Sequence, residues 1–288
     1  PPDTWKRANL LIRGDKSING ITLPRSVASA RLLEDVVGRS DFSRKHAAYE
    51  LQKKRRTDFE ALENPSRGIG LAFASQGSGF IGAGESEYAS KVRVRLETDG
   101  SVHLRCPTIS TDRPLARYWR RMAAEILAVE PNHVTFDPMD STVVPDTGPL
   151  FLSRHVAVIT RAVESCCNAV AKKRFRTSLP IEATRSYRLP RSQRWNEETF
   201  RGRPFVEQAY GTAVVEVDVD PMTLAVRVRA IWMSIDGGHI IDRAAAEQST
   251  ERGIFQALGW AASEQIEYTE GTIRAGDYER YGPDARAQ

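Results

Sequence analysis

No stretch of about 18 consecutive apolar residues occurs in this 288-residue chain, so the sequence holds no candidate membrane-spanning helix. The opening PPDTWKRANLL also lacks the apolar core of a secretory signal, and no Met begins it, so the visible chain reads as a fragment or a processed product. Cysteine is scarce. Cys106, Cys166 and Cys167 are odd in number and without metal-ligand spacing, which suits buried thiols in a reducing, cytoplasmic setting. His46, His103, His133, His155 and His239 form no H-E-x-x-H or similar pattern, so the residues assign no metal ligand. No G-x-S-x-G elbow occurs, and the nearby Ser153 and His155 read as a helix-start pair rather than a nucleophile and its base. Charge of one sign is also lacking: 41 basic and 37 acidic residues leave a net +4. The Arg residues are spread out among acids, which does not imply a nucleic-acid surface. The run KKRR at Lys53–Arg56 is flanked by Glu50, Asp58 and Glu60 and reads as a solvated helix face.

What is present is enough to fold. Apolar residues make up 41% of the chain, an ordinary globular share, and the length allows one large core or two smaller ones. A polar, basic start leads to a helix capped by Ser26, with Leu32, Leu33, Val36 and Val37 on its apolar face and Gly38 interrupting it. A second helix is expected from about Ser43 to Leu62. Gly77, Gly79 and Gly82 then spell G-x-G-x-x-G. Only about eight residues separate Gly82 from the next strand, too few for the crossover helix of a dinucleotide site, so the motif, contained in RGIGLAFASQGSGFIGAGE at 67–85, reads as a flexible link between strands. Strands over 91–97 and 101–106 flank an Asp99-Gly100 turn and form a hairpin.

Pro114 opens a helix to Val129 with Leu115, Trp119, Met122, Ala123 and Ile126 along one side. The strand-like HVTF, the turn-rich DSTVVPDTGP at 140–149 and a long helix over 151–173 follow. The span from Pro180 to Pro204 reads as a polar linker. Beyond it the most legible stretch is Tyr210–Glu264. Val214, Val215, Val217 and Val219 mark one strand, Val226, Val228, Ala230 and Trp232 mark the next, and from Ala244 the period becomes helical, with Ile254, Phe255, Leu258 and Ala262 on one stripe. The chain after Tyr268 reads as irregular. The expected class is α+β, with mixed sheets and hairpins packed on long helices. Three segments follow from it: a helical segment 1–65, a first α+β half 66–180 and a second half 181–288.

The ordered set RGIGLAF, GSGFIGAGE, the DG hairpin, DSTVVPDTGP with SR, GTAVVEVDVDPMT with VRAIW, and ERGIFQALGWA resembles the molybdenum-binding subunit of the xanthine dehydrogenase and aldehyde oxidase family over most of 66–265. That resemblance implies the second molybdopterin-binding domain of a molybdenum hydroxylase, with hydroxylation of a heteroaromatic or aldehyde carbon by water-derived oxygen. It implies a first molybdenum domain, an iron–sulfur subunit and a flavin subunit as partners. An oligomer is expected because a lone domain would expose apolar area, and charge and hydropathy imply neither nucleic acid nor membrane. Catalysis is not expected of this chain alone. The implied cofactor is molybdopterin with molybdenum, the cytosine dinucleotide form among the options. The positions that match the family's cofactor contacts are Thr111, Asp112 and Arg113, where the family carries G-Q-G, then Ser153 and Arg154, and Ser249, where the family has Gln. The turn at 236–238 and the helix start near Ser249 would face the pterin. His155-Val156 replace a hydroxyl pair, Thr160 replaces a Gly, and Arg252 falls at a second Gly position. The family's catalytic Glu in a G-x-G-E setting is missing from its expected place, and Glu85 reads as a loop acid. These departures leave a second reading open, a non-catalytic relative that keeps the fold as an assembly or scaffold subunit.

Overall fold

A computed structural model of the chain describes residues 1–23, 28–55, 64–80, 84–106, 113–150, 153–188, 195–262, 264 and 268–273. Two compact units emerge, one made of 1–10, 28–74 and 211–288, the other of 11–27 and 75–210. They cut across the three consecutive segments expected from sequence.

The first unit begins with α1 (Pro2–Asn9), α2 (Ser29–Ser40) and α3 (Phe42–Arg55). Gly38 does not break α2. The helix runs two residues further and ends at Asp41, whose left-handed backbone (φ 55°) sends its N–H to the carbonyls of Gly38 and Val37 before α3 starts. The expected cap Ser26 lies outside the described residues, as does the end of the second helix beyond Arg55. The unit's sheet has the order β1-β6-β7, with β1 at Ser66–Ser78, β6 at Glu207–Val219 and β7 at Val226–Asp236. This 13-residue β1 reaches the glycine motif expected to link strands: Gly77 lies in the strand, Gly79 just past it, and Gly82 outside the described residues. Its apolar Ile69 and Leu71 pack with Val37 and Trp232 against Val36, Phe42 and Val214, and this burial outweighs the entropic cost of Gly68 and Gly70. The expected hairpin of β6 and β7 is present. Its turn is held by Asp220, which accepts from the N–H groups of Met222 and Thr223.

Under α3 the sheet carries a buried acid. Glu216, 6% exposed, accepts from Lys45 Nζ and Tyr49 Oη at 2.6 Å each, while Arg229 stands 3.7 Å away. Burial raises the Glu216 carboxyl, but the Lys45 and Tyr49 hydrogen bonds and the nearby Arg229 outweigh it and hold the carboxyl below its ordinary 4.5. A depressed folded-state pKa contributes stability that is fully present above the unfolded value and lost as pH falls through the folded one. Stability of the wild-type chain is thus expected to drop from about pH 4.5 downward more steeply than that of Glu216→Gln, measured by chemical denaturation at stepped pH. Parallel profiles for the two would remove Glu216 as a source of acid sensitivity.

The second unit holds α4 (Gly84–Glu87), β2 (Lys91–Leu96), β3 (Val102–Arg105), α5 (Arg113–Leu127), β4 (Val134–Phe136), a π turn (His155–Ile159) running into α6 (Thr160–Lys173), and β5 (Ile181–Ser186). The expected β2–β3 hairpin forms with Leu96 opposite Val102, and Gly100 takes the positive φ of 84° that its turn demands. β4 adds parallel to β3, and β5 adds antiparallel to β2, from Lys91 opposite Ser186 to Leu96 opposite Ile181. The first part of the expected linker is thus a strand. Its alternation is short, but Ile181 and Ala183 point inward and are buried. One face of this sheet carries Val92, Val94, Leu96, Val102 and Leu104, all 1% exposed or less, and α5 and α6 contribute Trp119, Ala123, Leu127, Val163 and Val170 to the same buried set. The three thiols are buried in this unit. Burial raises all of them, Cys166 to about 11 and Cys167 to about 12.

Two further expectations change. The helix near the C-terminal end, α7 (Arg243–Ala262), exists as read, yet Gly259 is its one buried residue, Ile254 and Leu258 on its stripe are half-buried, and Phe255 is exposed. After Tyr268 the chain is not wholly irregular, because β8 (Tyr268–Thr269) and β9 (Thr272–Ile273) pair as a two-residue ladder. Among the described residues no helix is long and apolar enough to cross a membrane.

Candidate functional site

The buried centre of the second unit's loop cluster is Arg154, a position that the family resemblance assigns to cofactor contact. Its side chain is fully buried, and Nε donates to both oxygens of Glu85 at 2.8 and 3.1 Å. Nη1 donates to the carbonyls of Thr147 and, at 3.1 Å, Pro149, while Nη2 donates to Ala89 O at 2.7 Å. A guanidinium presents five N–H donors in a planar fork, and here that fork gathers three chain segments: α4 with Ala89 just after it, the PDTGP loop, and the start of the π turn. Arg154 is therefore a structural tie rather than an outward cofactor contact. Glu85 is corrected with it, since this carboxylate is 6% exposed and belongs to a buried ion pair rather than to a loop surface.

The glycines around the pair have steric reasons. A Cβ on Gly79, at φ +80°, would stand 2.9 Å from Glu85 Oε2. On Gly148, at φ +67°, it would stand 2.6 Å from the backbone oxygen of Ala89, which cannot swing aside. Gly148 N–H in turn donates to Asp146 Oδ1 at 2.8 Å, and Asp146 O accepts from Lys91 N at 3.1 Å, which fastens the loop to the start of β2. The expected turn chemistry of DSTVVPDTGP is thus a platform that positions the residues after it.

Ser153 follows the platform with a left-handed backbone, φ 56°, and an exposed side chain. Its carbonyl accepts from the N–H groups of Val156 and Ala157 at 3.1 Å each, so the π turn starts on it. Val156 and Ala157 thus commit their N–H groups to Ser153, and the group this start leaves to a ligand is the exposed Ser153 side chain. Arg113 is exposed at the first residue of α5. Thr111 and Asp112, just before it, lie outside the described residues. Ser249 is exposed on α7, in the first unit, and the second unit holds Arg113, Ser153 and Arg154.

The departures at 155–160 have a local cause. Trp119 Nε1 donates to Thr160 Oγ1 at 2.8 Å, and that hydroxyl donates to His155 O at 3.3 Å. A Gly at 160 would leave the buried indole N–H without this acceptor. His155 Nδ1 sits 3.0 Å from Leu150 O, so the ring that replaces a hydroxyl ties the turn back to the loop before it. Sequence reasoning misses the Glu85–Arg154 pair. The signal is an acid and a base 69 residues apart, with no periodic pattern to link them. Among the described residues no group of three His, Cys, Asp or Glu side chains converges as a metal site.

The donor set tests the implied cofactor. An anionic pterin phosphate suits the exposed Arg113 and Ser153 at their helix starts, whereas Arg154 has its donors engaged. A family model described as molybdopterin cofactor-binding domain matches residues 43–178 and 169–284. Xanthine dehydrogenase/oxidase of Gallus gallus is 22% identical over 95% of this chain and 21% of its own length. Aldehyde oxidoreductase of Megalodesulfovibrio gigas is 23% identical over 72% of this chain and 24% of its length. Among solved structures, the aldehyde oxidoreductase from Desulfovibrio gigas superposes with a TM-score of 0.71 at 21% identity, over 92% of this chain and 29% of that one. Quinoline 2-oxidoreductase from Pseudomonas putida 86 gives 0.71 at 15% identity, over 97% and 40%. The chain spans roughly a fifth to a quarter of the length of these curated relatives.

Proposed function

We infer, from the premise that this chain belongs to the molybdopterin cofactor-binding domain family, that it serves as one molybdenum domain of an oxidoreductase of the xanthine dehydrogenase and aldehyde oxidase type. The observation that carries this reading is the match of the family model across 43–284, together with two exposed helix starts that suit an anionic ligand. When bound, the cofactor would supply the redox chemistry that hydroxylates a heteroaromatic or aldehyde carbon with oxygen from water. This chain's own residues would bind and orient it. Arg113 would neutralise phosphate charge, Ser153 would donate its hydroxyl, and the Glu85–Arg154 pair would hold the loop beneath Ser153 in place. The cytosine dinucleotide form fits the same donors, because its added phosphate extends the anionic surface to be met.

Other polypeptides would complete the assembly: a first molybdenum domain, with iron–sulfur and flavin subunits to receive electrons. The uncovered apolar surface supports such company. Trp260 is 80% exposed, Phe255 43%, and Met222 and Leu224 are also exposed in the same unit. A second reading, an assembly or scaffold subunit without chemistry, draws support from the engagement of Arg154 inside the fold.

Metal analysis and oxidised-pterin fluorescence on the chain purified with its companion polypeptides separate the two. Molybdenum and pterin are expected in equal amounts, with pterin content reduced about tenfold in Arg113→Glu and Ser153→Ala, near the loss of one charge-assisted hydrogen bond. An assembled complex without either component would establish the scaffold reading instead. Full pterin content in both variants would mean that neither Arg113 nor Ser153 contacts the phosphates.

A further inference from the structure

The geometry points to a docking site for an extended acidic segment of a partner protein, along the outer edge of β5 and the groove beside it. Two separate observations place it in the second unit. The first is the sheet order β4-β3-β2-β5, in which β5 pairs with β2 on one side and with no described strand on the other. An edge strand presents a row of backbone N–H and C=O groups that an added strand can satisfy. At about 3.3 Å per residue its six residues, Ile181–Ser186, offer roughly 20 Å of edge.

The second observation is the helix alongside. Arg161, Ser165, Asn168 and Lys172 follow one another at four, three and four residues, which aligns them on one stripe of α6. At 1.5 Å per residue the stripe is about 16 Å long, nearly the length of the β5 edge. These residues line two open cavities of about 670 and 630 Å³ that share Arg161, Ser165 and Arg185, so a continuous groove follows the strand.

Its charge selects the occupant. Lys91, Lys172, Lys173, Arg185 and Arg188 face the groove with Glu164 as the one acid among its lining residues, and Arg161 is paired with Glu207. Cations beside a free edge repel a like-charged strand and admit an acidic one, so the same side chains that discourage self-association specify the partner. A peptide fits better than a nucleic acid. The strand edge offers alternating donors and acceptors that match a peptide backbone, and Tyr187 is the one aromatic lining residue where base stacking would need several.

The test is fluorescence anisotropy at low salt with a short labelled peptide alternating Glu and Val, titrated with the whole chain. Saturable binding is expected, about tenfold weaker for Lys172→Glu combined with Arg185→Glu. The same peptide N-methylated at alternate amides keeps its charge, loses its strand pairing, and is expected not to bind. This arm needs no variant, so it decides the matter even if charge reversal impairs folding. No binding of the parent peptide, equal binding of the N-methylated one, or tighter binding of a single-stranded oligonucleotide would each overturn the assignment.

Discussion

Arg154→Met is expected to lower the stability of the chain by about 3–5 kcal/mol, because it leaves Glu85 buried and without its counter-charge. The loss of three carbonyl contacts adds to the effect, since Thr147, Pro149 and Ala89 each give up a donor. Glu85→Leu is expected to act in the same direction by stranding the guanidinium. The double variant Arg154→Met with Glu85→Leu removes both charges and should recover part of the loss, though not the part owed to the carbonyls. Urea denaturation of the four proteins checks this. Single-variant losses below about 1 kcal/mol would mean that the pair is solvated and worth no more than a surface salt bridge.

Trp119→Ala is expected to cost a similar amount, about 3–5 kcal/mol, for a different reason. The indole is 1% exposed and fills the space between α5 and α6, so its removal opens a cavity rather than stranding a charge. Thr160→Val separates the polar part of the interaction. It keeps the shape at 160 but removes the acceptor of the indole N–H, and should cost about 1–3 kcal/mol by itself. If Thr160→Val matches wild type in denaturation, the Trp119–Thr160 hydrogen bond contributes nothing net, and the hydroxyl at this position has no stabilising role.

Elements whose pattern repeats along the chain can be read directly. The β2–β3 hairpin, α5, and the pair β6 and β7 follow from alternation, a helical stripe and turn residues, all of which are local. The glycine-rich β1 is hard to read because its strand character comes from pairing and from Ile69 and Leu71 meeting α2 and α3 residues, contacts made far along the sequence. β5 is hidden for a similar reason, since a short run with Thr184, Arg185 and Ser186 becomes a strand only against β2. At the candidate site, the family pattern locates the PDTGP loop and Ser153. It cannot reveal that Arg154 turns inward, because burial of a guanidinium depends on an acid 69 residues away and on carbonyls supplied by loop conformation. The same holds for Thr160, whose partner Trp119 lies 41 residues earlier.

The division of the chain sets an order of completion during synthesis. Unit 75–210, apart from its 11–27 contribution, is one uninterrupted stretch, and every strand and helix of its sheet is available once Tyr210 has left the ribosome. The other unit waits longer. Its α2 and α3 and most of β1 are made early, but Val214, which closes their apolar cluster, comes from β6, and Trp232 from β7. Helices α2 and α3 therefore have their apolar faces open to other occupants throughout the time in which the intervening 136 residues from 75 to 210 are being made.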